Sequence, residues 1–301
     1  MELTIFTPLY NRADIVERLY LSLRKQNVKE FEWLVIDDGS KDNAEMKFSE
    51  WEKRDNGFEM RYFKTENGGK HRAINKAVKM AKGRMFFIVD SDDWLPENAV
   101  EKIFEIDSSI KDKSGFAGFS GIRRTPEGKL IGTTFEGNYV DVNSLERDRY
   151  GITGDKSEVF YLDVLKSYPF PEIEHENFIT EDIVWSRMAH DGYKIRWTNE
   201  EIYLGDYLEG GLTMQGRDIF IRNPIGYTMY VRQIADFKQM DRKERYHYYY
   251  YCYDDLKDTL GLFKSAKLLQ ASAVILGLKA IKMNSKQLLY NIFKKNKVKE
   301  K

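Results

Sequence analysis

A single cysteine among 301 residues, Cys252, excludes an internal disulfide and fits a reducing compartment. The first residues, Met1 to Pro8, hold neither a basic region nor a long apolar run, and no stretch reaches the roughly 20 apolar residues of a spanning helix. A cytoplasmic protein without a signal peptide is expected. The Walker and dinucleotide glycine fingerprints are both missing, so any nucleotide site must be of another kind. There is no internal repeat and no low-complexity linker.

What is present is an ordinary soluble composition, 42% hydrophobic and 32% charged, sufficient for one large domain or a domain with an appendage. The formal net charge of zero hides an asymmetry. From Lys264 to Lys301 ten lysines face one acid, giving +9, while the other 38 basic and 47 acidic residues give −9. The tail is a separate electrostatic object.

The chain is organised around Met85 to Leu95. An apolar run without helical spacing reads as a buried strand, and Asp90, Asp92 and Asp93 follow at its carboxyl end, where open α/β sheets bind ligands. Carboxylates this close repel one another, and a hard divalent cation such as Mg²⁺ or Mn²⁺, able to grip a diphosphate, would hold them ionised together. The alternative is a solvated acidic turn capping a helix that begins at Pro96 and Glu97.

Before this stretch, strand and helix alternate. Leu3 to Phe6 is a strand, and Asn11 is placed to cap a helix bearing Ile15, Val16, Leu19 and Leu23 on one face. Phe31 to Ile36 is a second strand ending in Asp37-Asp38-Gly39-Ser40; Asp42 to Arg54 is helical and Met60 to Phe63 extended. Asn67-Gly68-Gly69 forms a loop whose backbone can approach a ligand, before a helix that buries Ala73, Ile74, Ala77, Val78 and Ala81 and stops at Gly83. Four alternations imply a parallel, doubly wound sheet.

Beyond Pro96 a helix runs to about Ile106, then Phe116 to Ile122 and Lys129 to Phe135 form a hairpin, so pairing turns mixed or antiparallel. Val159 to Leu162 is extended and Ser167 to Pro171 a kinked loop. Thr180-Glu181-Asp182 caps a helix closed by Asp191-Gly192. Separate strands at Ile195 to Trp197 and Ile202 to Leu204 lead to a mobile loop at Leu208 to Thr213. Helices are expected from Asp218 onward, with the aromatic run Tyr246 to Tyr253, including His247 and Cys252, used for packing.

Four ordered signals, Pro8-Leu9-Tyr10-Asn11, Asp37-Asp38-Gly39-Ser40, Asp90-Ser91-Asp92-Asp93 and Glu181-Asp182, resemble the inverting glycosyltransferases of family 2 with the GT-A fold, over about residues 3 to 215. The resemblance implies a mixed α/β sheet with flanking helices: a glycosyltransferase domain over 1–215, nucleotide-binding to about 95 and acceptor-binding after it, then a helical region with a basic tail over 216–301. It implies that Pro8, Tyr10 and Asn11 line the base pocket, that Asp37 or Asp38 accepts from base or ribose, and that Gly69, Lys70, Asp90 and Ser91 also touch the donor. Asp92, with Asp90, would hold Mn²⁺ or Mg²⁺, which bridges the two phosphates and offsets charge on the leaving group. Glu181-Asp182 matches the catalytic pair, the aspartate acting as general base, and Arg187 a basic position near phosphate or acceptor.

Many members carry Ala-Arg-Asn where this chain has Ala73-Ile74-Asn75, so Lys70, His71 or Arg72 would have to compensate. The Gln-x-x-Arg-Trp of processive synthases is absent, since Tyr193-Lys194-Ile195-Arg196-Trp197 lacks the glutamine, which favours single addition. The implied donor is a nucleotide sugar, with UDP favoured, and the acceptor a glycan or glycolipid in cell-surface polysaccharide synthesis. No nucleic-acid partner is expected. The competing readings are a sugar-phosphate nucleotidylyltransferase, whose Gly-rich opening loop is missing, and a non-catalytic nucleotide-sugar-binding protein. Two uses suit the tail: a soluble helix with a lysine-rich end, or attachment to the cytoplasmic face of a membrane.

Overall fold

In the computed structural model residues 1–205 and 213–285 are described. The loop expected at Leu208 to Thr213 lies outside them except for Thr213, as does the lysine-rich end of the tail after residue 285. The backbone divides into two compact units, Met1–Met214 and Gln215–Lys301.

The first unit opens with four strands, three of them buried on both faces and so mainly apolar rather than alternating, and the fourth, an edge strand over residues 59–64, with no side chain fully buried. These are β1 (Leu3–Leu9), β2 (Phe31–Asp37), β3 (Glu59–Lys64) and β4 (Met85–Ile88). They lie in the order β3-β2-β1-β4, all parallel, joined by the helices α1 (Glu17–Arg24), α2 (Ala44–Glu52) and α3 (Lys70–Met80). Parallel pairing through helical crossovers brings the carboxyl ends of β1, β2 and β4 to one edge. Tyr20 stacks on Trp51 at 4.1 Å, and Trp33 and Phe48 complete an aromatic layer under β2. At the opposite edge the buried Glu32 carboxylate accepts from Thr4 Oγ1 and Lys82 N, both at 2.6 Å, and from Arg61 at 2.8 Å. A charge so enclosed is tolerable only because each oxygen is partnered.

After α4 (Ala99–Ser109) the sheet changes character. β5 (Phe116–Arg124) pairs with the two-residue β6 (Leu130–Ile131), and further strands are β7 (Tyr139–Val142), β8 (Ser157–Tyr161) and β9 (Lys194–Leu204). β8 joins the halves, antiparallel to both β4 and β5; β9 runs parallel to β5 and antiparallel to β7. Among the described residues this makes one nine-stranded mixed sheet. α5 (Leu162–Lys166) and α6 (Asp182–His190) flank it.

Several expectations are corrected here. Asn11 caps no helix: at φ +51° it ties two loops together, donating its N–H to Ser40 Oγ (2.9 Å) and accepting from Lys41 N (2.8 Å). α3 ends at Met80 with an extended Ala81, and Gly83 is glycine for another reason, since a Cβ there would sit 2.3 Å from Thr4 N. The helix after Pro96 begins only at Ala99. β6 stops at Gly132, at φ +80°, well short of Phe135. The two strands expected near Ile195 and Ile202 are one, with register shifts against β5 that absorb the polar Thr198 to Glu201, and β7 was not legible at all.

The second unit is helical among its described residues: α7 (Arg217–Arg222), α8 (Pro224–Phe237) and α9 (Arg242–Leu268), the last broken at Gly261 (φ +69°), then a helical stretch at 273–285. Asp241 starts α9 with a reciprocal cap, accepting from Lys243 N (2.7 Å) and Glu244 N (2.8 Å), while its own N–H donates to Glu244 Oε2 (3.1 Å). Within the aromatic run Tyr249, Tyr250 and Cys252 are buried, Tyr249 and Cys252 against Val231, Ala235 and Leu256. No helix among the described residues is long and apolar enough to cross a membrane.

Candidate active site

The acidic turn after β4 is built by the strands around it. Val89 N donates to Phe6 O on β1 (2.8 Å), and Asp90 N donates to Tyr203 Oη on β9 (3.1 Å). The same Tyr203 hydroxyl donates to Asp93 Oδ2 at 2.6 Å, which turns Asp93 inward. Burial first, then the charge of Asp90, pushes the Asp93 carboxyl up to about 7 despite the Tyr203 bond. Arg123 on β5 packs its guanidinium over the Tyr203 ring at 4.1 Å and anchors its Nε on Lys156 O (2.8 Å). Asp93 therefore belongs to the scaffold, leaving Asp90 and Asp92 partly open, with side chains 31% and 21% exposed. Asp92 faces Arg12 across 3.9 Å, and Ser91 between them is buried.

Lys70, the first residue of α3, brings the two acidic signals together. Its Nζ lies 2.6 Å from Asp90 Oδ1 and 2.9 Å from Glu181 Oε1. Burial alone would strip its proton, but the two carboxylates outweigh it and hold the ammonium above its ordinary range. Burial likewise disfavours charge on Asp90, yet Lys70 and Arg123 keep that carboxyl below the usual range. Residues 90 and 181, far apart in sequence, thus face each other across one ammonium group. Asp182 lies one residue on, exposed in the first turn of α6, and this helix has no side-chain cap from Thr180 or Glu181.

The Asp37-Asp38 pair is placed otherwise than expected. Asp37 is fully buried, accepting from Ser40 N (2.7 Å) and from the Tyr62 hydroxyl. Asp38 accepts from Gly68 N and Gly69 N, both at 2.8 Å, and burial raises its carboxyl pKa against those bonds. Both carboxylates are engaged inside the protein, Asp37 holding the turn to Ser40 and Asp38 the glycine loop. Gly69 itself, at φ +96°, is approached by the chain and not by open space: a Cβ there would lie 1.9 Å from Asn177 O.

α3 also fixes the loop before α6. Arg72 donates to Ile173 O (2.6 Å) and Glu176 O (2.8 Å), and Asn75 exchanges bonds with Phe170, donating to its O (2.9 Å) and accepting from its N (2.8 Å). Arg72 is thereby used structurally. His71 is buried with neither ring nitrogen bonded, and burial drives its pKa down to about 4. Arg187 binds Pro169 O at 3.1 Å and covers the Tyr168 ring, and Arg196 makes a two-pronged pair with Asp141 (2.8 and 2.7 Å); neither reaches the acidic turn. Tyr10 stands 46% exposed at the carboxyl end of β1, beside the half-buried Pro8.

Arg12, Arg123 and Tyr203 were not singled out from sequence. Arg12 adjoins a motif and could have been; the other two lie on strands whose pairing with β4 no local pattern discloses. Among the described residues no three His, Cys, Asp or Glu side chains converge as a metal cage.

The glycosyl transferase family 2 model matches residues 4–111. The putative teichuronic acid biosynthesis glycosyltransferase TuaG of Bacillus subtilis is 32% identical over 130 residues, 42% of this chain and 51% of TuaG. The chondroitin synthase of Pasteurella multocida is 33% identical over 129 residues, 42% of this chain and 13% of the synthase. The match spans about half of TuaG and 16% of an uncharacterized glycosyltransferase of Rickettsia bellii. Among solved structures, S. aureus TarS 1-349 in complex with UDP-GlcNAc superposes with a TM-score of 0.62 at 21% identity, over 85% of this chain and 72% of that one. The mannosyltransferase PcManGT from Pyrobaculum calidifontis, in complex with GDP-Man and Mn²⁺, gives 0.54 at 15% identity, over 97% and 80%. Four parallel strands deliver an acidic turn to one edge, the glycosyl transferase family 2 signature lies within those strands and helices over residues 4–111, and the fold is GT-A.

Proposed function

We propose that this protein transfers one sugar, with inversion, from a nucleotide sugar to a hydroxyl of a glycan or lipid-linked acceptor in cell-surface polysaccharide synthesis, with a UDP-sugar as donor. The observation that carries the reading is the Asp90–Lys70–Glu181 bridge, which sets the acid at the end of β4 against the acid at the head of α6. Such a cleft offers a donor side and an acceptor side separated by one residue's reach. The names of the relatives agree, since TarS was solved with UDP-GlcNAc and with UDP.

On the donor side, the exposed Tyr10 with Pro8 gives the base a ring to lie against, and Asp90, held by Lys70, accepts from the ribose. Asp37, Asp38 and Asn11 act through the loops they fix. Asp92 and Asp90 would hold a hard divalent cation, since such sites need only one or two protein carboxylates. Bound Mn²⁺ or Mg²⁺ would supply charge compensation for the departing diphosphate. Lys70 and Arg12 supply fixed positive charge beside the same oxygens.

On the acceptor side, Lys70 holds Glu181, and Asp182, which matches the aspartate of the catalytic pair, is exposed in the first turn of α6. Asp182 is therefore assigned the proton of the attacking hydroxyl, from the face opposite the diphosphate, and Glu181 its placement. Turnover of UDP- and GDP-sugars with an oligosaccharide or lipid-linked acceptor, with Mn²⁺ and with EDTA, tests the proposal. Metal-dependent transfer with inverted anomeric configuration is expected. No turnover, together with no thermal stabilisation by either nucleoside diphosphate, would remove it.

A further inference from the structure

The helical stretch at 273–285 has two apolar faces, and the described residues cover only one. Leu276 and Ala280 are buried, Leu276 beneath Leu256 and Leu269, and Tyr250 donates to Asn284 Oδ1 at 3.0 Å, which fixes the rotation of the helix. Val274, Leu278 and Ile281 then share the outer face at four- and three-residue spacing, 71%, 63% and 66% exposed. Phe263, just past the break in α9 at Gly261, is 79% exposed. These are the four most exposed large apolar side chains among the described residues. A soluble helix gains nothing by presenting such a stripe to water.

Charge identifies what covers it. Lys264 and Lys267 adjoin Phe263, Lys282 follows Ile281, and the sequence from Lys264 onward carries +9 against −9 for the rest of the chain. Apolar side chains bordered by lysine are the pattern of a helix lying in a lipid interface, where the apolar face enters the acyl boundary and the ammonium groups meet anionic headgroups. A second copy of the chain fits less well, because a two-fold contact through this stripe would bring the lysines of both copies together. A polyphosphate backbone would serve the lysines but leave the stripe in water.

We infer that Phe263, Val274, Leu278 and Ile281, with Lys264, Lys267 and Lys282, form a docking surface for an anionic lipid bilayer. The acidic remainder of the chain is repelled by the same surface, so attachment is through this unit alone. The inference is independent of the catalytic reading.

The test is sedimentation of the full-length protein with vesicles of phosphatidylcholine alone or mixed equally with phosphatidylglycerol. Two variants accompany it, Val274→Ser/Leu278→Ser/Ile281→Ser, which removes the stripe without changing charge, and Lys264→Gln/Lys267→Gln/Lys282→Gln, which does the reverse. The wild type is expected to pellet with the anionic vesicles and to be released by salt. The serine variant should bind at least about tenfold more weakly. The glutamine variant should lose about fivefold per lysine. Wild-type binding by the serine variant, equal binding to neutral vesicles, or no binding by the wild type would each overturn the inference. A wild-type dimer that the serine variant dissolves, without vesicle binding, would assign the stripe to a second copy. If the serine variant proves misfolded by circular dichroism, the glutamine variant, altered only at the surface, decides.

Discussion

The two halves of the sheet solve different problems. In the first, four parallel strands, three of them buried on both faces, deliver side chains to a common edge, and what they deliver is fixed by topology. The second is antiparallel at β8, interrupted by register shifts in β9, and contributes mainly supports: Tyr203 under Asp90 and Asp93, Arg123 on Tyr203, and a loop strapped down by Arg72 and Asn75. The comparison teaches that the regular half presents Asp90 and Asp92, while the irregular half supports them and sets Glu181 and Asp182 opposite. α3, which carries Lys70, Arg72 and Asn75, joins them.

The largest effects should separate the halves by function. Asp92→Ala is expected to abolish metal-dependent stabilisation by UDP, since it removes a carboxylate proposed to hold the cation; unchanged UDP affinity with Mn²⁺ would end its metal role. Asp182→Asn should leave UDP binding intact and lower the transfer rate by about 10² to 10⁴, because it keeps the shape but discards the base. Near wild-type transfer by that variant would move the search to Glu181, for which Glu181→Gln is the corresponding measurement.

The next effect breaks the junction itself. Gly69→Ala would place a methyl 1.9 Å from Asn177 O at φ +96°, so a loss of about 3 kcal/mol is expected in urea unfolding. Gly68→Ala, whose Cβ meets only the flexible Arg72 side chain at 2.9 Å, should cost about 1 kcal/mol or less. Equal losses at the two glycines would show that the Asn177 approach is unimportant.

That contrast also marks how far the sequence could be read. Phe31 to Ile36, apolar but for Glu32, and Met85 to Ile88, wholly apolar, each form a buried parallel strand for the reason given by the pattern. The four motifs were visible because each ends a strand or begins a helix. What stayed hidden depends on contacts between distant segments. Nothing in Asp37-Asp38 says that Tyr62 and two glycine amides occupy those carboxylates, and nothing in Gly68-Gly69 says that residue 177 fills the space. β7 is four residues long and pairs only with β9, so its short run carries no independent signal. Thr198 to Glu201 looked like a turn because a register shift lets polar residues ride in mid-strand.

A smaller effect is expected from Arg72→Leu. It removes the two guanidinium bonds to the carbonyls of Ile173 and Glu176, at a cost of about 2 kcal/mol, and loosens the loop before α6. Acceptor KM should rise while UDP affinity holds. A change confined to UDP affinity would place Arg72 on the donor side.

The smallest effect tests the seam where Tyr203 of the second half supports Asp93 of the first. Asp93 titrates near 7 in the folded protein against an ordinary 3.8, so the native state holds its proton more tightly than the unfolded chain does. Its stabilising contribution is complete below 3.8 and is lost as pH rises through 7, with a slope of at most about 1.4 kcal/mol per pH unit. His71 acts in the opposite sense. Its folded value near 4, below an ordinary 6.5, makes the native state bind fewer protons, so its contribution is present above 6.5 and lost as pH falls toward 4. Between these limits the two slopes oppose, and the wild type should show little net dependence from them. Asp93→Asn keeps an acceptor for the Tyr203 hydroxyl and cannot ionise. Urea unfolding in EDTA across pH 4 to 8 should therefore show the variant gaining stability relative to wild type as pH rises, most steeply between about 5 and 7. A difference that does not vary with pH would mean that Asp93 is ionised throughout, held by Tyr203 and Arg123 rather than neutralised by burial.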